Sequence, residues 1–363
     1  MIDLRQLEYR VVAVTPEGEQ LDITNVTTNL GWEEGERELS SRISLKLHNA
    51  SYKGKMISEL VQPNTPLFVY AVSNGESQEV IRGTVQKWTP TESNGTFTID
   101  IEADDEMFPL RHNQDDAYFS QGTSTKSAIT ATLDKWGVPY EYKGPDPGVA
   151  HEKMAFKKNW ISDILIKILE DLKQKGGGVY FMRAKEGKVQ ILPRGSNETT
   201  YHFDGETNAL QVKDSFDASG IVTQVKVVGK SDKEGHQAVE DVIKGKTEYG
   251  VRQEILERPS DKSLADIQKA AQELLKEKGS IKRKTSLSCA DVPFLRKGDR
   301  IRVETGLMQG YWFVKSIRHN AADGKMDFDV DEDKEKNAEV AKEKGQSSEI
   351  DTVATDEYSG GEV

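Results

Sequence analysis

Two groupings of carboxylates are the first candidates for chemistry. Glycoside hydrolysis needs a pair of carboxyl groups about 5 to 10 Å apart across a cleft, and Asp104, Asp105 and Glu106 could supply one. The chain carries 61 acidic residues, however, so adjacent acids arise without any catalytic cause, and solvated loop acids are the simpler reading. DFDVDED, residues 327–333, has the alternating acids of a cation loop but lacks the central glycine and the distant glutamate of an EF-hand. On a strand, Asp327, Asp329 and Asp331 share one face, and Phe328 and Val330 share the other. That face is either solvated or the wall of a channel, where carboxylates would discourage nucleic acid from sticking.

The remaining chemical residue types give less. His48, His112, His151, His202, His236 and His319 lie in no HExxH or nucleophile context. The triple glycine at 176–178 has no GK[ST] after it and ends a helix rather than cradling phosphate. Cys289 is the single cysteine, which rules out an intrachain disulfide or a thiolate cluster, and its alternating surroundings, KTSLSCADV, predict a buried structural thiol. No catalytic residue, cofactor or metal site is therefore expected. Segment 293–320, PFLRKGDRIRVETGLMQGYWFVKSIRHN, crowds Tyr311, Trp312 and Phe313 against His319 and several basic residues, and is either the wall of a binding site or only a wall.

The bulk composition narrows the choice. With 49 basic and 61 acidic residues the formal charge is −12, which disfavours stable nucleic-acid binding. Residues 331–363 hold eleven acids and four lysines and carry most of that charge. No run approaches the roughly 18 to 20 apolar residues needed to cross a bilayer, and the start, MIDLRQLEYRVVAVT, lacks a signal-peptide pattern, so synthesis in a cytoplasm and no membrane partner are expected. At 363 residues, two or three domains are expected.

The elements follow from periodicity. Residues 1–105 read as strands, with NGES and SNG as turns. Ile129, Leu133 and Trp136 mark one amphipathic helix, and the stripe Ile161, Ile164, Leu165, Ile168, Leu169, Leu172 a second. GVYFMRAKEGKVQILPR reads as a hairpin turning at Glu186-Gly187. Strand character returns at 209–212 and 221–230, and a helix follows with Ser263 as N-cap, Asp266 three residues on and Gly279 as stop. Sheet resumes from Lys282 to Val330. The last 33 residues are solvated and acidic, a tail that would run along a partner, with Tyr358 a candidate contact.

Segment 293–320 has a twin. Val61, Asn64, Thr65, Leu67 and Val69 fall on Leu295, Gly298, Asp299, Ile301 and Val303 with identical spacing, and Val85 and Trp88 fall on Val314 and Ile317. Equal spacing then carries Phe97, Ile99 and Ile101 onto Met326, Phe328 and Val330. This predicts two similar β modules whose inward positions include Ile301, Val303, Val314 and Ile317. Trp312 falls on Gly83, so Tyr311, Trp312 and His319 are candidates for contacts that differ between the copies.

Taken in order, these elements resemble the baseplate hub proteins of contractile phage tails and related injection machines, the late-control-D family, whose relatives include the N-terminal part of type VI secretion spikes. The likeness spans roughly residues 1–330. It is carried by IVTQVKVVGK at 221–230, Tyr249-Gly250 before ADIQKAAQELL, LRKGDRIRV with its Lys-Gly-Asp turn, GYWFVKSIRH, KMDFDV and the mid-chain helix-then-hairpin. The resemblance implies an α+β, mainly β fold: two small antiparallel β-barrel, tube-like modules, an inserted α+β domain and an acidic tail. The first module would be 1–105, completed by 207–228, the insert 106–206, the second module 229–330 and the tail 331–363. It further implies a non-enzymatic homotrimer whose pseudo-sixfold ring joins a hexameric tail tube or tube-initiator protein to a trimeric spike, beside other baseplate subunits, in a virion or tailocin. Possible interface or lumen residues are Tyr311, Trp312, His319, Asp327, Asp329, Asp331 and Tyr358. The alternative is a tail-associated wall-degrading or peptidoglycan-binding protein, for which Trp32, Trp88 and Trp312 would be the exposed aromatics.

Overall fold

The computed structural model describes residues 6–144, 146–231, 234–260 and 262–342. Residues 8–104 are mostly strands, six of them long enough to build a curved sheet: β1 (Glu8–Val14), β2 (Thr27–Glu34), β3 (Arg42–His48), β4 (Pro66–Ser73), β5 (Glu76–Ser93) and β6 (Thr96–Asp104). Asn74-Gly75 and Asn94-Gly95, all four at positive φ, turn β4 into β5 and β5 into β6, as twisted two-residue hairpins require. Val11 on β1 and Trp32 on β2 belong to one buried cluster although they lie near opposite ends of the strand order, so the sheet curls around its own core.

The insert places α1 (Thr125–Lys135) and α2 (Ile161–Gln174) beside the hairpin β7 (Tyr180–Lys185) and β8 (Lys188–Pro193). All six apolar residues of the α2 stripe are buried, and burying each contributes about 1.5 to 3 kcal/mol before entropy is counted. Glu186 and Gly187 both have positive φ, the turn expected at that pair.

Two further strands, β9 (Tyr201–Asp204) and β10 (Ala209–Asp217), lead to a smaller unit spanning Lys213–Thr285. In this unit β11 (Gln224–Ser231) lies between β12 (Gln237–Lys244) and β13 (Gln253–Glu257), and α3 (Leu264–Lys278) covers one face through Ile267 and Ala271. Ser263 and Asp266 form the expected capping box at the start of α3. The first module is thus not completed by 207–228. β10 pairs with a strand of the second module, and β11 finds both its partners inside the smaller unit. The sequence shows that 221–230 is a strand, but alternation carries no information about which edge it joins.

The second module resumes with β14 (Lys282–Ala290), β15 (Arg300–Glu304), β16 (Gln309–Asn320) and β17 (Lys325–Glu332). Its strand order, β10-β14-β17-β16-β15-β9, matches the first module's β2-β3-β6-β5-β4-β1 place for place. β9 differs in running parallel to β15. Pairing of β16 with β2 makes both modules one continuous sheet.

The likeness extends to single hydrogen bonds. Asn64 N donates to Val85 O and Val85 N to Thr65 O; at the matching places Gly298 N donates to Val314 O and Val314 N to Asp299 O, all at 2.8–3.0 Å. Asn64 and Gly298 both have positive φ. A bulge interrupts each hairpin at the same point, between Val85 and Lys87 and between Val314 and Ser316. The third strand corrects the equal-spacing reading: Trp88 faces Ile101, whereas Ile317 faces Phe328, so β17 is shifted by two residues. A two-residue shift keeps every side chain on its original face and leaves the apolar pattern unchanged.

Candidate assembly site at the junction of the modules

The junction is built on close backbone approach. Gly31 of β2 faces Asn320 of β16, and a Cβ at Gly31 would stand 2.6 Å from the carbonyl oxygen of His319, so only glycine allows the strands to meet. Beside it, the His319 imidazole stacks on the Trp32 indole at 4.5 Å and 17°. Nδ1 of His319 lies 2.7 Å from Asp291 Oδ1 and Nε2 lies 3.1 Å from Leu295 O, while Tyr9 Oη donates to the other oxygen of Asp291. Burial first, then the Asp291 charge, holds the Tyr9 hydroxyl well above its ordinary pKa. His319 therefore contacts both modules from inside the chain.

A second group at the junction is ionic and buried. Glu34, at the end of β2, accepts from Arg296 Nε, and Arg296 Nη2 donates to Ala184 O at 3.2 Å. Arg183 Nη1 donates to Asp299 Oδ1 at 2.8 Å, and Asp299 Oδ2 accepts from Arg296 N at 3.0 Å. Lys297 Nζ donates to the carbonyls of Gly35, at 3.0 Å, and Glu38. Glu34, Arg296, Lys297 and Asp299 are all buried. Residues 34–38 come from the first module, 183–184 from the insert and 296–299 from the second, so one charge network joins three parts of the chain.

The network's electrostatics follow from its charge balance. Burial pushes the Glu34 carboxyl upward, but Arg296, with help from Lys297 and Arg183, overrides that and holds it below the usual range. Burial also dominates at Asp299, raising its carboxyl, and at Lys297, lowering its ammonium. Gly298 lets the Lys-Gly-Asp turn fit: its φ is +86°, and a Cβ there would stand 2.3 Å from the Phe181 ring.

Within the carboxylate triplet at 104–106, the buried Asp105 braces the backbone. Asp105 accepts from Ser41 N at 2.8 Å and Met107 N at 3.0 Å, and burial raises its carboxyl. A raised folded-state value means that its ionisation subtracts stability as pH climbs from the ordinary aspartate range through that raised value. Asp105→Asn is therefore expected to compare least favourably with the native chain in acid and to regain ground as pH rises through that window. Thermal melts of both proteins between pH 4 and 8 measure this; a gap that widens with pH contradicts it.

The nominated residues divide. Trp312 is buried in the second module's core and His319 in the junction, so neither offers a surface for a partner or lumen. Both lie on the inward side of β16, which aromatic crowding in the sequence does not reveal. Tyr311 is half-buried; its N donates to Asn337 Oδ1 at 2.7 Å, and its carbonyl accepts from Asn337 Nδ2 and Asp333 N. These bonds pin the helix at 334–342 to β16. Asp327 is exposed, while Asp329 and Asp331 are half-buried, with Asp331 3.5 Å from Lys315 and 3.6 Å from Arg194. Tyr358 lies outside the described residues. Trp32 is buried too, and half-buried Trp88 donates its indole N–H to Val61 O at 2.8 Å, so the three tryptophans make no exposed sugar platform. Cys289 is buried, and burial, then Asp327, pushes its thiol up to about 12.

Metal-ligand chemistry gathers at one place among the described residues. His202 and Asp204 on β9 and Glu304 on β15 bring their donor atoms within 4.8 Å of one another. Glu304 is already bonded to Arg302, and it lies 3.1 Å from His202 Nε2, so these two read as part of an ion-pair cluster, while half-buried Asp204 accepts from Glu206 N.

The profile of the YQBQ-like family matches residues 59–331, three quarters of the chain. The chain belongs to the YQBQ-like family. Its match runs from the first module to the end of the second and includes the Arg296–Asp299 turn. No curated protein sequence matches this YQBQ-like chain. In fold it is similar to the 43 kDa tail protein of prophage MuSo2 from Shewanella oneidensis, at 13% identity and TM-score 0.62, covering 89% of this chain and 98% of that one. A tail protein from Neisseria meningitidis MC58 is also 13% identical, at TM-score 0.58 and 90% and 97% coverage. The prophage tail protein gp18 from Listeria monocytogenes EGD-e is 12% identical, at TM-score 0.50 and 93% and 98% coverage. The likeness is one of fold, and it is the fold of phage tail proteins, as the resemblance implied.

The ionic junction is what sequence reasoning missed. Its signal was present in the twin segments: Gln62, Pro63 and Thr65 occupy the places of Arg296, Lys297 and Asp299. Three charges replacing three uncharged residues in an otherwise equivalent turn mark a contact that only one copy makes.

Proposed function

We propose that this YQBQ-like chain is a structural subunit of the baseplate hub of a contractile injection particle, without enzymatic activity. Three chains would form a pseudo-sixfold ring that joins a hexameric tail tube to a trimeric spike. The observation that carries this reading is the pair of modules with one strand order and equivalent turn hydrogen bonds, fused into one sheet by β2 and β16. A chain with two equivalent modules gives six similar units in a closed trimer, the stoichiometry needed between a sixfold and a threefold partner. Asp327, Asp329 and Asp331 are proposed to face the lumen, where they would repel nucleic acid. The burial of Trp32 and Trp312 weighs against the peptidoglycan-binding alternative.

Native mass measurement of the full chain, alone and with tube and spike proteins encoded beside it, tests the reading. A trimer that binds both is the expected result. A monomer that binds neither, or wall-lytic activity abolished by one carboxylate substitution, would overturn it.

A further inference from the structure

The exposed face of the smaller unit has no partner within that unit. Val225, Val227, Ile243 and Leu256 pack toward α3, which turns Lys226, Val242, Lys244 and Ile255 to the opposite side. Val242 is 39% and Ile255 55% exposed, and they flank Lys226 directly across the sheet. Neither Lys226 nor Lys244 forms an ion pair among the described residues. Both outer strands, β12 and β13, also keep a free edge in this three-stranded sheet. An apolar strip bordered by two uncompensated ammonium groups fits an acidic segment that also carries apolar residues.

The chain holds such a segment. EIDTVATDEY, residues 349–358, has four acids and no base, together with Ile350, Val353 and Tyr358. It follows the helix at 334–342, which Asp333 and Asn337 fix to β16. Residues 343–348 let that segment begin up to about 25 Å from Lys342, and its end, Tyr358, lie up to about 55 Å away. We infer that residues 349–358 of one copy dock on the Lys226–Val242–Lys244–Ile255 face of the next. Each copy contributes one face and one segment, so a closed ring fills every face with none left over. This inference rests on the assembly reading above and assigns the tail to a neighbouring subunit rather than to a spike.

The test replaces Tyr358 by a photo-crosslinking phenylalanine in 15N-labelled full-length chains, mixed with unlabelled chains and mapped by mass spectrometry. The expected crosslinks join differently labelled chains and fall on β12 or β13. Lys226→Glu with Lys244→Glu should lower their yield about fivefold, the factor set by roughly 1 kcal/mol of exposed charge pairing. Glu349→Lys with Asp351→Lys should restore it, which a merely structural defect would not allow. Crosslinks on other elements or within one chain only, or a yield indifferent to the charge swaps, would overturn the inference. Native mass of the same samples separates the two readings: oligomers crosslinked elsewhere sink this docking alone, whereas uncrosslinked monomers sink the assembly as well.

Discussion

Glu34→Gln is expected to remove about 3 to 5 kcal/mol of stability, the usual cost of leaving a buried charge without its partner. The glutamine keeps the shape and one acceptor oxygen, so the loss reports charge rather than packing. Arg296 is stranded beside Lys297 and Arg183, with Asp299 the remaining acid that bonds directly to the cluster. Denaturant unfolding of both proteins at neutral pH measures the difference. The native chain should also lose the Glu34 contribution as pH falls. Because the folded-state carboxyl is held below its unfolded value, that stability is complete above the ordinary glutamate range and disappears as pH drops through the lowered one. Glu34→Gln should show no such acid-dependent loss from this position. A variant that unfolds at the native denaturant midpoint would show that the network contributes nothing net.

Gly298→Ala is the second large effect, expected at about 3 kcal/mol. An L-residue at φ +86° costs about 1 to 2 kcal/mol, and forcing a methyl against the Phe181 ring adds overpacking strain of about 1 to 3 kcal/mol. Phe181→Ala in the same background should return part of the loss, because it removes the clash but not the backbone strain. Asn64→Ala, at the matching turn of the first module, should cost less, since no such ring contact arises from an added Cβ where a side chain already stands. Comparing the three variants by thermal melts separates conformation from contact. Equal losses at 298 and 64 would contradict this account.

The legibility of the fold varied with the kind of information each element needs. The α2 stripe, the capping box at Ser263 and the turn at Glu186-Gly187 depend on residues a few positions apart, and all three stand where periodicity put them. The repeat was legible in β4/β15 because Val61 to Val69 keep the spacing of Leu295 to Val303, and in β5/β16 because the one length difference falls inside the hairpin loop. It slipped by two residues in β6/β17 because strand faces repeat every two positions. The partner of β11 was not legible, since an alternating strand records which face is buried and not which neighbour it bonds. The junction was read backwards. Trp312 and His319 looked like surface contacts because their types are chemically conspicuous, whereas Arg296, Lys297 and Asp299 read only as a basic segment and a turn, because charge is rarely buried.

The β2–β16 pairing also sets how a ring of such chains would form. In a ring of six modules, three of the module contacts lie inside single chains and are complete once each chain has folded, whatever its concentration. The three contacts between chains are all that dilution can oppose. Closure then needs three molecules to meet rather than six, and the relative orientation of each module pair is settled before the first encounter. A ring of six separate modules would have to fix those orientations during assembly, losing rotational freedom at every step. Fusion through one sheet would move half of that ordering into folding and leave the rest to three equivalent contacts between chains.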